Sequence, residues 1–230
     1  MEKSLTLYHG SKRIVRTPQF GLGRKTNDFG LGFYCTETEA LAKEWAVSYL
    51  DDGFCNRYSL DARYLRILHL NSSEYSILNW IAVLVEHRLF SMANPPARKA
   101  RQYLIDHFGV NVNAYDVVIG YRADDSYYDY ADAFLNNSIT VDQLSLAMKL
   151  GKLGEQVVIK SEEAFSLLKF ERFKPVDKNQ YYIKRKARID DANADYLRIL
   201  EGHSDGLFIQ DIIRGGIENG DPRIPRNIAP

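Results

Sequence analysis

Three consecutive residues near the start of the chain, His9, Gly10 and Ser11, have the types and the order expected of a ligand-binding or catalytic site. They follow a run from Leu5 to Tyr8 whose residue types predict a strand. A histidine ring can hydrogen-bond through either nitrogen, a glycine lets a flat ligand reach the backbone, and a serine adds a hydroxyl. Together they suit a planar amide beside a ribose. The plainer alternative is a turn whose histidine caps the strand.

A second candidate is a pair of aromatic side chains, Tyr34 and Trp45. Gly30 and Gly32 punctuate a tight loop that leads into the predicted strand of Tyr34, and Trp45 lies in the helix predicted to follow. Two rings that face each other can clamp a third. Such stacking is worth roughly 0.5–1.5 kcal/mol beyond area burial, and more when the clamped ring is cationic. The alternative is that both side chains belong to the core.

A third candidate is Glu155, which stands between Gly154 and the predicted strand Gln156–Lys160. A carboxylate at the mouth of a strand can accept a hydrogen bond from a sugar hydroxyl and stabilise positive charge that develops on the sugar carbon. The alternative is a solvated glutamate at a sheet edge.

Acidic residues also gather at Asp124 and Asp125, beside Arg122, between a predicted strand and a predicted helix. Asp125 could act as a general base for an incoming nucleophile. Alternatively, Asp125 or Ser126 is the N-cap of the helix.

The composition limits the class of protein. Thirty Lys and Arg balance thirty Asp and Glu in 230 residues, so no global field favours nucleic acid or a membrane, although a local patch still can. Cys35 and Cys55 fit neither a disulfide framework nor a metal site, which favours a reducing, cytoplasmic location. No apolar run suits a signal peptide or a membrane span. The dense basic run Tyr181–Arg188 suits single-stranded nucleic acid, unless it is a solvated amphipathic segment.

The pattern of apolar residues predicts short strands that do not alternate regularly with helices, which is typical of an α+β fold. Asp61-Ala62 is predicted to join two neighbouring strands as a hairpin, and the segment from Gly215 onward is predicted to be a coil that serves as an arm for a partner. The predicted strands are 6–9, 32–35, 56–60, 64–70, 117–121 and 156–160, and the predicted helices are 37–50, 74–91, 97–108, 127–135, 141–150, 162–168 and 192–200.

Taken in chain order, the stretches "LYHGS", "FGLGFYCTETEALAKEW" and "GEQVVIK" resemble the catalytic motifs of ADP-ribosyltransferases of the His-Tyr-Glu type, the group of diphtheria toxin and the poly(ADP-ribose) polymerases. More closely, the chain resembles DUF3990, a bacterial family of domains of unknown function assigned to that superfamily. This second resemblance continues through Trp80–Arg88, Tyr115–Phe134 and Leu153–Phe170, and covers roughly residues 5–175.

The resemblance implies an ADP-ribosyltransferase-like split pair of small antiparallel β-sheets with flanking helices, and NAD bound as a substrate in the cleft between them. Gly10 would hold the nicotinamide amide with help from Ser11, and His9 would bind the ribose on the adenine side. Tyr34 and Trp45 would sandwich the nicotinamide.

The carboxylate implied by the resemblance is Glu155, which would hold the ribose 2′-hydroxyl and stabilise the sugar cation as nicotinamide departs. Gln156 is the alternative, because a glutamine recurs at that position in many relatives. Arg16, Arg24 or Lys25 would meet the pyrophosphate. The chemistry of the family needs no metal.

The expected function is transfer of ADP-ribose from NAD to a protein or to single-stranded nucleic acid, by a cytoplasmic toxin of a toxin–antitoxin or phage-defence system whose antitoxin is a further partner. The alternatives are an inactive module that binds NAD or ADP-ribose, and a nucleic-acid-binding effector of another chemistry. Residues 1–175 are expected to form the catalytic domain, and residues 176–230 a basic helical segment with a C-terminal coil arm.

Overall fold

Strands rich in Val, Ile, Tyr and Phe build two small sheets in the computed structural model, which describes residues 4–90, 94–123, 125–150, 154–202 and 204–227, with only the backbone of 125–127. The first sheet has the order β1–β3–β7, with strands Ser4–Ser11, Gly53–Asp61 and Leu168–Val176, all antiparallel. The second has the order β2–β6–β5–β4, with strands Phe33–Cys35, Glu155–Ile159, Val117–Tyr121 and Ile67–His69.

Eight α-helices flank these sheets within the described residues. They are α1 (Glu39–Ala46), α2 (Ile77–His87), α3 (Pro95–Phe108), α4 (Asp125–Leu135), α5 (Val141–Ala147), α6 (Glu162–Ser166), α7 (Lys178–Glu201) and α8 (Ile209–Arg214), with a 3₁₀ turn at Val112–Ala114. The expected α+β class with two small sheets is therefore confirmed.

The two sheets share one hydrophobic layer, because alternation along each strand sends every second side chain to the same face. Leu7 and Tyr58 of the first sheet pack in one cluster with Ile119 and Val157 of the second. The opposite face of the second sheet contributes to a larger core with α2, α3, α4, α5 and α8. The outer face of the first sheet is covered by α1 and the start of α7.

The predicted hairpin at Asp61-Ala62 is wrong. Strand β3 pairs with β1 and β7, whereas β4 runs parallel to β5, so the second sheet is not wholly antiparallel as expected. The side chain of Asp116 shows why, since it accepts a hydrogen bond of 2.8 Å from the backbone N–H of Arg66 and so ties the start of β4 to β5.

The sequence does not predict strand β7, and it predicts α7 only coarsely, as a basic helical segment within residues 176–230 with helix bounds of 192–200. Strand β7 lies at the edge of its sheet and is mostly exposed, so apolar residues do not alternate clearly along it. Only Ala192 is buried in α7, so this helix has almost none of the apolar stripe by which an amphipathic helix is recognised in a sequence. The helix begins at an Asp177 N-cap whose side chain accepts from the backbone N–H of Asn179 (2.8 Å).

The C-terminal segment packs onto the rest of the chain. Ile209 and Ile212 of α8 lie in the larger core, as do Ile217 and Ile224 beyond it. The backbone N–H of Asn227 also donates to the carbonyl of Tyr75 (2.9 Å). The described part of the expected coil arm thus lies against the core. Among the described residues, no helix has the length and apolar character required to cross a membrane.

Candidate functional site

A cleft of about 780 Å³ opens where the end of β1 approaches β2 and β6. Helix α1, the loop between β1 and β2, and the segment after β5 close its sides. Its volume is in the usual range for sites that bind cofactor-sized ligands. Six of the predicted site residues line it: His9, Gly10, Arg24, Tyr34, Trp45 and Gln156.

The ring of His9 links the two sheets. Its Nδ1 lies 2.7 Å from the backbone carbonyl oxygen of Tyr34, and because a carbonyl only accepts, Nδ1 carries the hydrogen. Burial lowers the pKa of His9, which favours the neutral ring. In that form Nε2 has a free lone pair, so His9 brings a hydrogen-bond acceptor to the cleft.

The phenol of Tyr34 is fixed by the turn before it. The hydroxyl donates to the carbonyl of Gly30 (2.6 Å) and accepts from the backbone N–H of Phe29 (3.1 Å). Lys160 holds the same turn, since its Nζ donates to the Phe29 carbonyl (2.5 Å). Burial raises the pKa of Tyr34, so the phenol stays protonated, and burial lowers the pKa of Lys160 to about 8. Gly30 has φ +72°, a backbone conformation that favours glycine.

Gln156 belongs to a buried polar network. Its Nε2 donates to Oδ2 of Asp28 (2.7 Å) and to the backbone carbonyl of Tyr121 (3.1 Å). A carboxylate and a carbonyl only accept, so these bonds fix which way the amide points. Both amide hydrogens are used, and Oε1 is left as the atom of Gln156 that can accept from a ligand.

Arg88 completes this network. Its Nε lies 2.7 Å from Oδ1 of Asp28, and its guanidinium also donates to the carbonyl of Ala123 (2.7 Å). Sequence reasoning assigned no role to Asp28 or Arg88. The available signal was an arginine at the end of the Trp80–Arg88 motif and an acidic residue just before the glycines of the second motif.

Glu155, by contrast, is not among the residues that line the cleft. The side chains of neighbouring residues on a strand point to opposite faces of the sheet. Because the side chain of Gln156 faces the cleft, the side chain of Glu155 points away from it. The carboxylate of Glu155 instead accepts from Nδ2 of Asn71 (2.7 Å), and its charge contributes to raising the pKa of Glu37, after the larger effect of burial. The geometry therefore favours Gln156 over Glu155 as the cleft residue of this motif.

Gly10 is required by packing as well as by any ligand. A Cβ at this position would lie 1.9 Å from the carbonyl oxygen of Ala42 and 2.8 Å from the backbone nitrogen of Ala46, both in α1. The glycine therefore lets α1 cross directly over β1. This close approach brings Trp45 to the cleft beside His9.

Three other predicted residues, Ser11, Arg16 and Lys25, lie away from the cleft lining. The hydroxyl of Ser11 donates to the carbonyl of Arg13 (2.6 Å) and accepts from Nδ2 of Asn56 (3.2 Å). The guanidinium of Arg16 lies over the ring of Phe170, 5.4 Å from its centroid. Lys25 does not line the cleft either, so Arg24 is the one of the three predicted cations that does.

Trp45 contacts Arg122, a residue that the sequence associates only with the acidic cluster at Asp124 and Asp125. The guanidinium of Arg122 lies 4.4 Å from the centroid of the indole ring, a cation–π geometry. The indole Nε1 is buried and has no hydrogen-bond partner among the described residues. Asp28 is the one carboxylate among the described cleft residues, against the guanidinium groups of Arg24, Arg88 and Arg122, so the lining favours an anionic ligand.

The acidic cluster after β5 is only partly described. Helix α4 begins at Asp125, so Asp125 and Ser126, the two predicted N-cap candidates, both lie within the helix, and their side chains lie outside the described residues. Asp124 lies outside them as well.

The fold and the cleft define a two-sheet α+β protein with a cation-lined pocket between its sheets. A family model described as "Protein of unknown function (DUF3990)" matches residues 5–170, and the chain belongs to that family. The matched range contains every residue that lines the cleft. In comparisons with curated proteins and with solved structures, nothing matched.

Proposed function

We propose that this protein is an NAD-dependent ADP-ribosyltransferase that transfers ADP-ribose to a macromolecular acceptor in the cytoplasm. The observation that carries the proposal is that His9, Tyr34 and Gln156, which are far apart in the chain, line one cleft. The resemblance to His-Tyr-Glu transferases implies His9, Tyr34 and, in the third place, Glu155 with Gln156 as the alternative. Of these last two, Gln156 is the one that lines the cleft.

The cleft offers a partner for each part of NAD. Tyr34 and Trp45 supply aromatic surface for the cationic nicotinamide ring. Nε2 of His9 accepts from a ribose hydroxyl, because its Nδ1 hydrogen is already used. Arg24 and Arg122, two of the cations that line the cleft, are assigned to the pyrophosphate.

The reaction replaces one bond to the ribose carbon C1′ by another. The bond from C1′ to nicotinamide breaks, and its electron pair leaves with neutral nicotinamide. The sugar passes through an oxocarbenium-like state, as in glycoside hydrolysis. An acceptor lone pair then bonds to C1′, and the acceptor releases a proton. Oε1 of Gln156 accepts from the 2′-hydroxyl and orients the sugar for this exchange.

One observation favours a second candidate, a module that binds NAD or ADP-ribose without turnover. The single carboxylate among the described cleft residues, Asp28, is held by Arg88 and Gln156. No described carboxylate is therefore free in the cleft to stabilise a sugar cation.

Two measurements on the full chain separate these candidates. Calorimetry gives the NAD affinity, and chromatography gives nicotinamide released in the presence of a cell lysate. A transferase binds NAD and releases nicotinamide, and His9→Ala and Gln156→Ala reduce the release. A binding module binds NAD and leaves it intact. A chain that does not bind NAD contradicts both candidates.

We also propose that the transfer is toxic, as in toxin–antitoxin or phage-defence systems, and that an antitoxin protein restrains it. Induced expression of the wild-type chain should then stop bacterial growth, and Gln156→Ala should restore it. Growth arrest that is equal for both chains would contradict this role.

A further inference from the structure

The charges of helix α7 are segregated along its length. Its first eleven residues, 178–188, contain five cations and no carboxylate, whereas the remainder, 189–201, contains four carboxylates and one cation. The five cations are Lys178, Lys184, Arg185, Lys186 and Arg188. A local field of this kind can bind a polyanion although the whole chain is neutral.

This basic half of α7 is continuous with the cleft. Arg188 lies 2.5 Å from the carboxylate of Glu44, the residue that precedes Trp45 in α1. Glu44 also lies close enough to Lys184 and Arg122 for both charges to lower its pKa, although burial raises it by more. Cations therefore lie on both sides of the buried Glu44 carboxylate, with Arg122 on the cleft side and Lys184 and Arg188 on the side of α7.

Aromatic rings are interleaved with these cations. The ammonium groups of Lys43 and Lys184 lie 5.5 Å and 5.0 Å from the ring centroid of Tyr181. The ring of Tyr182 meets Tyr49 edge to face, with 5.8 Å between centroids. Tyr49 is 73% exposed, so its ring is accessible to a ligand that lies along this surface.

Building on the proposed function, we infer that the acceptor is a single-stranded nucleic acid whose backbone lies along residues 178–188 and whose target base enters the cleft. Cations that track a backbone beside rings that stack on bases are the usual means of binding single strands. A duplex hides the faces of its bases, whereas the unpaired bases of a single strand can stack on the exposed ring of Tyr49. The attacking atom is thus a nitrogen or oxygen of a base or ribose, which bonds to C1′ of NAD and loses a proton as nicotinamide leaves.

Binding can be tested without NAD. Fluorescence anisotropy would follow a labelled single strand of about 12 nucleotides, as RNA and as DNA, against the matching duplex and against poly-glutamate. We expect the single strand to bind best. Lys184→Glu with Arg185→Glu should weaken its binding roughly tenfold and reduce the salt dependence of log K by about 1.4, the value for two lost phosphate contacts.

The matched control is Lys99→Glu with Arg214→Glu, which makes the same change in net charge at exposed positions on α3 and α8. This control should bind the strand like the wild type, and thermal melting should show that both double variants are folded. Equal binding of poly-glutamate and the single strand, or equal weakening by both double variants, would overturn the inference.

The transfer reaction separates this inference from the proposed function. With labelled NAD and a lysate, label in the fraction sensitive to nuclease supports both. Label that only protease removes overturns the inference and leaves the transferase assignment standing. Strand binding with no nicotinamide release in any sample contradicts the transferase assignment, and with it the role of the strand as an acceptor.

Discussion

At the scale of single residues, the two ring nitrogens of His9 have different roles. Nδ1 donates to the Tyr34 carbonyl and so joins β1 to β2, while Nε2 is left for a ligand. The chain order His-Gly predicted that this residue faces a ligand, but not that it also fastens one sheet to the other. That second role depends on a backbone oxygen 25 residues away, which no local pattern reveals.

This arrangement makes folding stability depend on His9 in acid. The folded pKa is lowered by burial, so between pH 6.5 and that lower value the unfolded chain binds a proton that the folded chain refuses. Stability should therefore fall as pH drops below 6.5. Urea unfolding at pH 7 and pH 5 would measure the loss for the wild type and for His9→Asn, whose amide can still donate to Tyr34 but does not titrate. We expect the variant to lose less; equal losses would contradict a depressed pKa at His9.

Gln156 and Glu155 lie on opposite faces of β6, so substitutions at the two positions should affect nicotinamide release differently. Because Gln156 lines the cleft and Glu155 does not, Gln156→Ala should lower nicotinamide release by roughly tenfold or more, the size expected for losing about 1.4 kcal/mol of transition-state stabilisation. Glu155→Ala should change release less than twofold. Nicotinamide chromatography at saturating NAD measures both. The reverse result would restore the carboxylate as the catalytic group.

At the scale of elements, the cleft exists because α1 lies directly on β1 and β3. Gly10 and Gly53 permit this contact, since a Cβ on either would lie within 2.0 Å of a carbonyl oxygen of the helix. The residues next to Gly10 in the sequence indicate only a possible ligand contact for this glycine. The long-range packing partner could not be predicted, because it depends on where α1 crosses the sheet rather than on the residues beside Gly10.

A methyl group at Gly10 should therefore force α1 away from the sheet. Gly10→Ala is expected to destabilise the fold by roughly 1–3 kcal/mol, as overpacked cores do, and to lower Tm by roughly 2–4 °C for each kcal/mol. Thermal melting followed by circular dichroism would measure this. Gly202→Ala is the control, since the nearest atom to its Cβ is 3.4 Å away and its φ of −73° suits alanine. Similar melting of both variants would show that α1 can shift freely.

The elements that sequence patterns predicted well are the ones with strong periodicity or caps. Strands β1, β2, β5 and β6 and helices α2 and α3 lie where the apolar pattern placed them, within a few residues. The pairing of the strands was predicted less well. The alternation that identifies a strand carries no information on its partner, so β4 was assigned to a hairpin with β3 when Asp116 in fact holds it beside β5.

At the scale of the whole molecule, the net charge of zero does not reveal that cations are concentrated in one segment, residues 178–188. Thirty cations and thirty carboxylates cancel over the chain, yet residues 178–188 carry cations alone. Net charge therefore argued against nucleic acid, while the local distribution argues for it. The basic run itself was evident in the sequence, but its continuity with the cleft depends on Arg188 reaching Glu44 beside Trp45.

The C-terminal segment completes the larger core, and this gives the last prediction. Ile212 is fully buried among residues of that core, so Ile212→Ala should cost roughly 2–5 kcal/mol of unfolding free energy, as measured by urea denaturation. Leu197→Ala on α7 is the control, because that side chain is 59% exposed and its loss should cost less than about 0.5 kcal/mol.

A chain that ends at residue 202 tests the same point more severely. It removes Ile209, Ile212, Ile217 and Ile224 together, and leaves the α2–α3 side of the core uncovered. We expect it to unfold or aggregate on expression, because an exposed apolar surface of that size is rarely tolerated. If this shortened chain instead melts cooperatively near the wild-type temperature and binds NAD with wild-type affinity, the segment is an accessory to a core that is stable without it.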